Sequence, residues 1–171
     1  MSTAGRDPTG VAFFLLLAAA ALFILVTSTA LPQTVASHFN AAGTATGFMP
    51  RRLYVVITLL AAAGIPLVVA AGPWLALRKP GARLRLPHAE YWLTGERRSR
   101  TVAFVGRHMM RFAMLVTLFV CYVHGLVVAA HAASPPVLPS VWFIAGLAVF
   151  ALAALLWALT FVNRFRLPAR G

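Results

Sequence analysis

The residues with the most chemical capacity sit close together: Cys121 and His124 are three apart, His131 follows His124 by seven, and Met114 precedes Cys121 by seven. On a helix, Cys121 and His124 share a face, with His131 two turns further along it. Thiol, thioether and imidazole would suit copper or another soft metal. Imidazoles titrating near neutrality, here His38, His124 and His131, could instead carry a proton-linked role. An ionisable group inside an apolar stretch is a functional candidate by default. The bland alternative is a neutral histidine bonded to a neighbouring helix, with Cys and Met as apolar filler. The pattern lacks CxxC, HxxxH and clustered carboxylates, so it names no metal and no cofactor is expected.

Hydrolytic chemistry has even less to work with. The chain has 3 acidic residues, and none accompanies Thr27, Ser28 and Thr29 to complete a nucleophilic triad. These hydroxyls are expected to bond back to helix carbonyls. With no phosphate-binding glycine loop and no paired carboxylates, the chain reads as a non-enzyme. The formal charge of +12 would permit nucleic-acid binding. However, the basic residues border apolar blocks and no nucleic-acid motif accompanies them, so anionic lipid is the better-matched partner.

The elements that carry these residues are membrane spans. Hydrophobic residues make up 61% of the chain and charged residues 11%, too little polar surface to cover a soluble globule. Apolar blocks run over about 11–31, 53–77, 112–133 and 141–162, each close to the roughly 20 residues that cross a bilayer as a helix. The first is longer than the apolar part of a signal peptide and is expected to be retained. Gly64 and Pro66 predict a kink in the second, while the third is expected to begin earlier, in the charged run before Phe112. Pro135-Pro136 forces a turn before the fourth. The fold class is therefore all-α: a single domain over 1–171, a bundle of four transmembrane helices with an ordered outer loop between the first two.

Lys and Arg set the orientation. Thirteen of the 15 fall in the amino terminus, the loop 78–111 and the carboxyl terminus, against Arg51 and Arg52 on the other side. Both termini are thus expected in the cytoplasm of a bacterial plasma membrane. In the cytoplasmic loop, Pro80-Gly81 signals a turn. Arg83, Arg85, Tyr91, Trp92, Arg97 and Arg98 suit the headgroup region. Glu90 and Glu96 are expected to pair with nearby arginines, and His108 to lie at the interface.

The outer loop reads Ser37-His38-Phe39-Asn40, then Gly43, Gly47-Phe48-Met49 and Arg51-Arg52. Gly43 and Gly47 allow tight turns. Asn40 and Ser37 can close them, and Phe39, Phe48 and Met49 can dip into the interface. Together with Leu31-Pro32, Val35 and the flanking spans, over about 11–75, this stretch resembles the domain-of-unknown-function 1648 family of bacterial membrane proteins. That domain also stands at the front of immunity proteins against a sporulation-delay toxin. The segment Leu86-Pro87-His88-Ala89-Glu90-Tyr91-Trp92-Leu93, with Glu96-Arg97-Arg98, is similar to the stretch that follows the domain in relatives. Thr46 stands where the family often has aspartate, and four spans do not supply the further membrane domain of the immunity proteins. The resemblance therefore implies the broad family, not immunity activity. It implies a sensing, resistance or accessory module binding a ligand, a membrane-protein partner or a second copy of itself through His38, Phe39, Asn40, Gly43, Phe48 and Arg51. The rival is a small transport or metal-handling subunit using Cys121, His124 and His131.

Overall fold

The computed structural model describes residues 8–78 and 87–166. Arg83 and Arg85, expected at the headgroups, lie outside the described residues, as do Arg6, Lys79, Arg170 and the Pro80-Gly81 turn.

Four apolar helices are long enough to cross a membrane, at Pro8–Ala30, Arg51–Ala76, Arg97–Ala130 and Ser140–Arg164. The first is α1 (Pro8–Thr27), ending in a 3-10 turn. Its buried residues Phe13, Leu17, Ala20 and Ile24 recur every three or four positions, so one stripe faces protein while the remaining apolar surface is left to lipid. The second span is α2 (Arg51–Leu59), a π-helical turn at Leu60–Gly64, and α3 (Ile65–Arg78). A short helix, α4 (Ala89–Trp92), precedes α5 (Arg97–Ala130), which does begin within the charged run as expected. The last span is α6 (Ser140–Arg164).

The predicted kink takes the form of the π turn. Proline has no N–H, so Pro66 cannot donate to the carbonyl of Ala62 four residues back. The Thr117 hydroxyl of α5 supplies a donor there, its Oγ1 lying 2.8 Å from the Ala62 oxygen and 3.1 Å from that of Ala113. A buried polar side chain thus meets the irregular backbone in a region with no water to do so.

The outer loop is more than an ordered loop. It forms an antiparallel hairpin of β1 (Thr34–Phe39) and β2 (Ala45–Pro50), paired from Thr34 with Pro50 to Phe39 with Ala45 and irregular around His38. A two-stranded hairpin is marginal on its own. Here it packs on the helix ends in a cluster of Leu31, Val35, Tyr54, Val127, Ala130 and Leu138, with Phe39 and Met49 against it. Deeper in the bundle, Phe13, Leu17 and Ala113 form a second cluster with Val69, Ala70 and Met114.

Helix α5 is the shared wall between α1 on one side and α3 on another. Helix α6 has no buried residue and leans on α5 through its aromatic side chains. Phe119 stacks on Phe150 with centroids 4.4 Å apart, and Tyr122 lies where any Cβ on Gly146 would collide with its ring.

His108, expected at the interface, is instead buried between α5 and α6, because its ring stacks on Trp157 at 4.8 Å. The two residues exchange bonds: the Trp157 indole N–H donates to the His108 carbonyl (2.9 Å), and His108 Nε2 lies 3.0 Å from the Trp157 carbonyl. At the same end the Trp92 indole N–H donates to the Phe165 carbonyl (3.3 Å), and the Thr101 hydroxyl donates to that of Trp92 (3.0 Å). Trp92 thus docks α4 onto the bundle. Arg97 lies over the Tyr91 ring at 4.1 Å, and Glu90 faces His88 with Nδ1 to Oε1 3.9 Å.

Replacing Thr117 with Val keeps the side-chain shape and removes the donor at the π turn. The expected cost is about 0.5–1.5 kcal/mol, read as a lowered melting temperature of the chain in nanodiscs; an unchanged value would mean that the Ala62 carbonyl needs no partner.

Candidate functional site at the hairpin end

His124 is 1% exposed and joins three helices. Thr27 Oγ1 of α1 lies 2.7 Å from the Phe23 carbonyl and 2.8 Å from His124 Nε2. The single Thr27 proton goes to the carbonyl, which has none to give, so the hydroxyl accepts from Nε2–H. That leaves Nδ1 as an acceptor, and the Tyr54 hydroxyl of α2 donates to it at 2.9 Å. The chain of donors therefore runs Tyr54, His124, Thr27, Phe23, and every proton in it is committed. The Phe23 ring meets the imidazole edge-on, with centroids 5.8 Å apart, and closes the site on the lipid side. An intramembrane histidine is tolerable when held neutral by partners of this kind.

Two turns along α5, His131 connects the helix to the hairpin. Its Nδ1 donates to the Val127 carbonyl at 2.8 Å, and its Nε2 accepts the Ala36 N–H of β1 at 3.0 Å. Thr117, His124 and His131 thus recur at intervals of seven on one face of α5, tying it to the π turn, to α1 and α2, and to β1 in turn. His131 reaches the hairpin at Ala36, two residues from His38.

The hairpin's own residues divide into builders and presenters. Asn40 builds the turn: its side-chain Oδ1 accepts from the N–H groups of Ala42 (3.0 Å) and Thr44 (2.9 Å), and its carbonyl accepts from Gly43. Gly43 has φ +82, and a Cβ there would strike the Leu138 carbonyl. Its own carbonyl accepts the Leu138 N–H at 2.8 Å, joining the hairpin tip to the α5–α6 connection. Gly47 serves another purpose than the turn expected of it. It lies in β2 opposite His38, whose ring is close enough that a Cβ would come within 3.0 Å of Nδ1.

Phe39 turns inward onto the hydrophobic cluster, whereas Phe48 is 57% exposed, beside the exposed Thr46 and Pro50 of the same strand. Arg51 fixes the base: its Nη1 donates to the Leu31 carbonyl at 2.8 Å, and its backbone N–H donates to Gln33 at 2.8 Å.

The six residues expected at the outer face are therefore brought to one end of the molecule, where His38, Asn40 and Phe48 are exposed and Arg51 is partly so, while Phe39 packs inward and Gly43 is buried. Among the described residues, no three of His, Cys, Asp and Glu come together. Both nitrogens of His124 and of His131 are engaged, so Cys121 and these histidines do not form a ligand set.

Tyr54 and Thr117 were not singled out by the sequence pattern, and Thr27 was expected only to bond back to a helix carbonyl, as it does to Phe23. Their signal is that each is a polar group in an apolar span and must find a bond there. Replacing His124 with Phe strands the Tyr54 hydroxyl and should cost about 1–3 kcal/mol. Adding Tyr54→Phe removes the stranded group, so the double variant should be less destabilised than the two single costs combined. Additive melting-temperature losses in nanodiscs would show that the two residues do not communicate.

No curated protein and no solved structure matches the chain. Residues 14–64, which comprise most of α1, the hairpin, α2 and the π turn, match the family model of a domain of unknown function, DUF1648, and the chain carries that domain.

Proposed function

We propose that the chain is a non-enzymatic membrane module whose hairpin recognises a partner protein through His38, Thr46 and Phe48, in a sensing, resistance or accessory role. The observation that carries this is an aromatic side chain, Phe48 of β2, held out from a hairpin that is itself clamped. β1 is bonded to α5 through His131, the tip to Leu138, and the base to Leu31 through Arg51. A platform fixed in advance loses less entropy when a partner binds than a free loop would.

The opposite end supports a cytoplasmic placement of both termini in a bacterial plasma membrane. Arg97, Arg98 and Arg100 are exposed there, at the start of α5, with Arg164 and Arg166 at the end of α6. These arginines suit anionic headgroups of that leaflet. The described acids, Glu90 and Glu96, lie at this end too, far along the chain from any hydroxyl or imidazole of the hairpin face. The metal-handling reading has less support, since its nitrogens are already committed to protein.

A photo-crosslinking amino acid at position 48, introduced in native cells, tests the platform. A discrete protein adduct is expected, absent when the crosslinker is moved to Leu156 on the exposed face of α6 and lost when Gly43→Val disrupts the turn. Cys121→Ser should leave the adduct intact. No adduct at 48, or the same one at 156, would contradict the proposal.

A further inference from the structure

Between the end of α1 and the start of α2 runs a groove of about 530 Å³, lined by Leu25, Ser28, Thr29, Arg51, Arg52 and Val55, with Val56 at its side. A smaller cleft formed by Gln33 and Pro50 shares both arginines. We propose that this groove holds one anionic phospholipid of the hairpin-end leaflet, its phosphate on Arg51, Arg52 and Ser28 and an acyl chain along Leu25, Val55 and Val56.

Three independent observations point to an anion. Ser28 is 4% exposed, and its hydroxyl is the buried side-chain polar atom without a hydrogen-bond partner among the described residues. A hydroxyl buried without a partner is costly in an apolar setting, and a bound oxygen at this spot would satisfy it. Arg51 is held over the groove by its Nη1 bond to the Leu31 carbonyl, which leaves the rest of its guanidinium fork for a second oxygen acceptor. Among the described residues no carboxylate neutralises Arg51 or Arg52, because Glu90 and Glu96 both precede α5 at the other end of the bundle. The start of α2 adds to the positive potential: its cap is Pro50, which offers no capping side chain.

The groove's form selects a lipid over a small anion. Below the polar rim, Leu25, Val55 and Val56 continue along the spans, and Leu25 and Val56 are about half exposed. A free phosphate would use the rim and leave this apolar floor empty. A phospholipid fills both at the depth where headgroup gives way to chain.

The test uses the full chain in phosphatidylcholine nanodiscs carrying phosphatidylglycerol with a photoactivatable acyl chain, labelled peptides being mapped by mass spectrometry. Labelling is expected in the peptides containing Leu25, Val55 and Val56, and should exceed that from photoactivatable phosphatidylcholine by about fivefold or more. Arg52→Gln should lower it about fivefold, Arg52→Lys should retain most of it, and Arg98→Gln at the far end should leave it unchanged. Ser28→Ala should lower labelling without lowering the melting temperature, since this hydroxyl bonds to nothing among the described residues. Equal labelling by the two lipids, labelling insensitive to Arg52→Gln, or labelling abolished by millimolar inorganic phosphate would overturn the proposal. The last result would assign the rim to a free anion.

Discussion

The structure depends on the rule that polar groups within a bilayer must be satisfied by the protein itself, and His124 is where that rule does most. One imidazole accepts from α2 and donates to α1 while riding on α5, so three helices meet at a single side chain. In lipid, apolar contact does little to drive helices together, because lipid tails are as apolar as the helices. Directional bonds therefore choose which helices are neighbours and at what height. Thr117 and His131 repeat the device one heptad below and above, which makes α5 the reference against which the π turn, α1, α2 and the hairpin are all set. Helix α6 has no link to this ladder and is held to α5 by stacked aromatics and the reciprocal His108–Trp157 bonds.

The hairpin follows from the same rule at the membrane edge. Between two spans, the chain must pair its backbone groups where water is scarce, and a short antiparallel ladder does so within a few residues. Asn40 and Gly43 make the reversal possible, and Gly47 leaves room for the His38 ring. The motif His-Phe-Asn-x-x-Gly thus has a largely architectural reason: one residue covers a glycine, one fills the core, and two form the turn. What remains outward, Phe48 foremost, is free for recognition.

Much of this was legible in the sequence, and what was not has a clear cause. The four spans, the early start of α5 and the disturbance around Pro66 follow from block length and proline chemistry. The importance of His124 and His131 was legible too, because a histidine in an apolar stretch needs an explanation. Their partners were not: Tyr54, Thr27 and the Ala36 amide are 70 or more residues away in sequence from the histidines they meet. The strand character of the hairpin was hidden because Ala36 in β1 and Gly47 in β2 are weak strand formers, and docking onto the helix ends outweighs that preference. The aromatic setting of His108 was hidden by sequence separation, Trp157 lying 49 residues further on.

The central claim is that α5 holds the hairpin in place through its histidine ladder. Amide hydrogen exchange on the chain in nanodiscs tests this most directly, comparing the native protein with a His131→Phe variant. The account predicts slow exchange at Ala36 and along β1 in the native protein, and marked acceleration there in the variant while the amides in the middle of α5 stay protected. Equal protection of β1 in both proteins would contradict it, because the hairpin would then stand without the bond that is said to hold it.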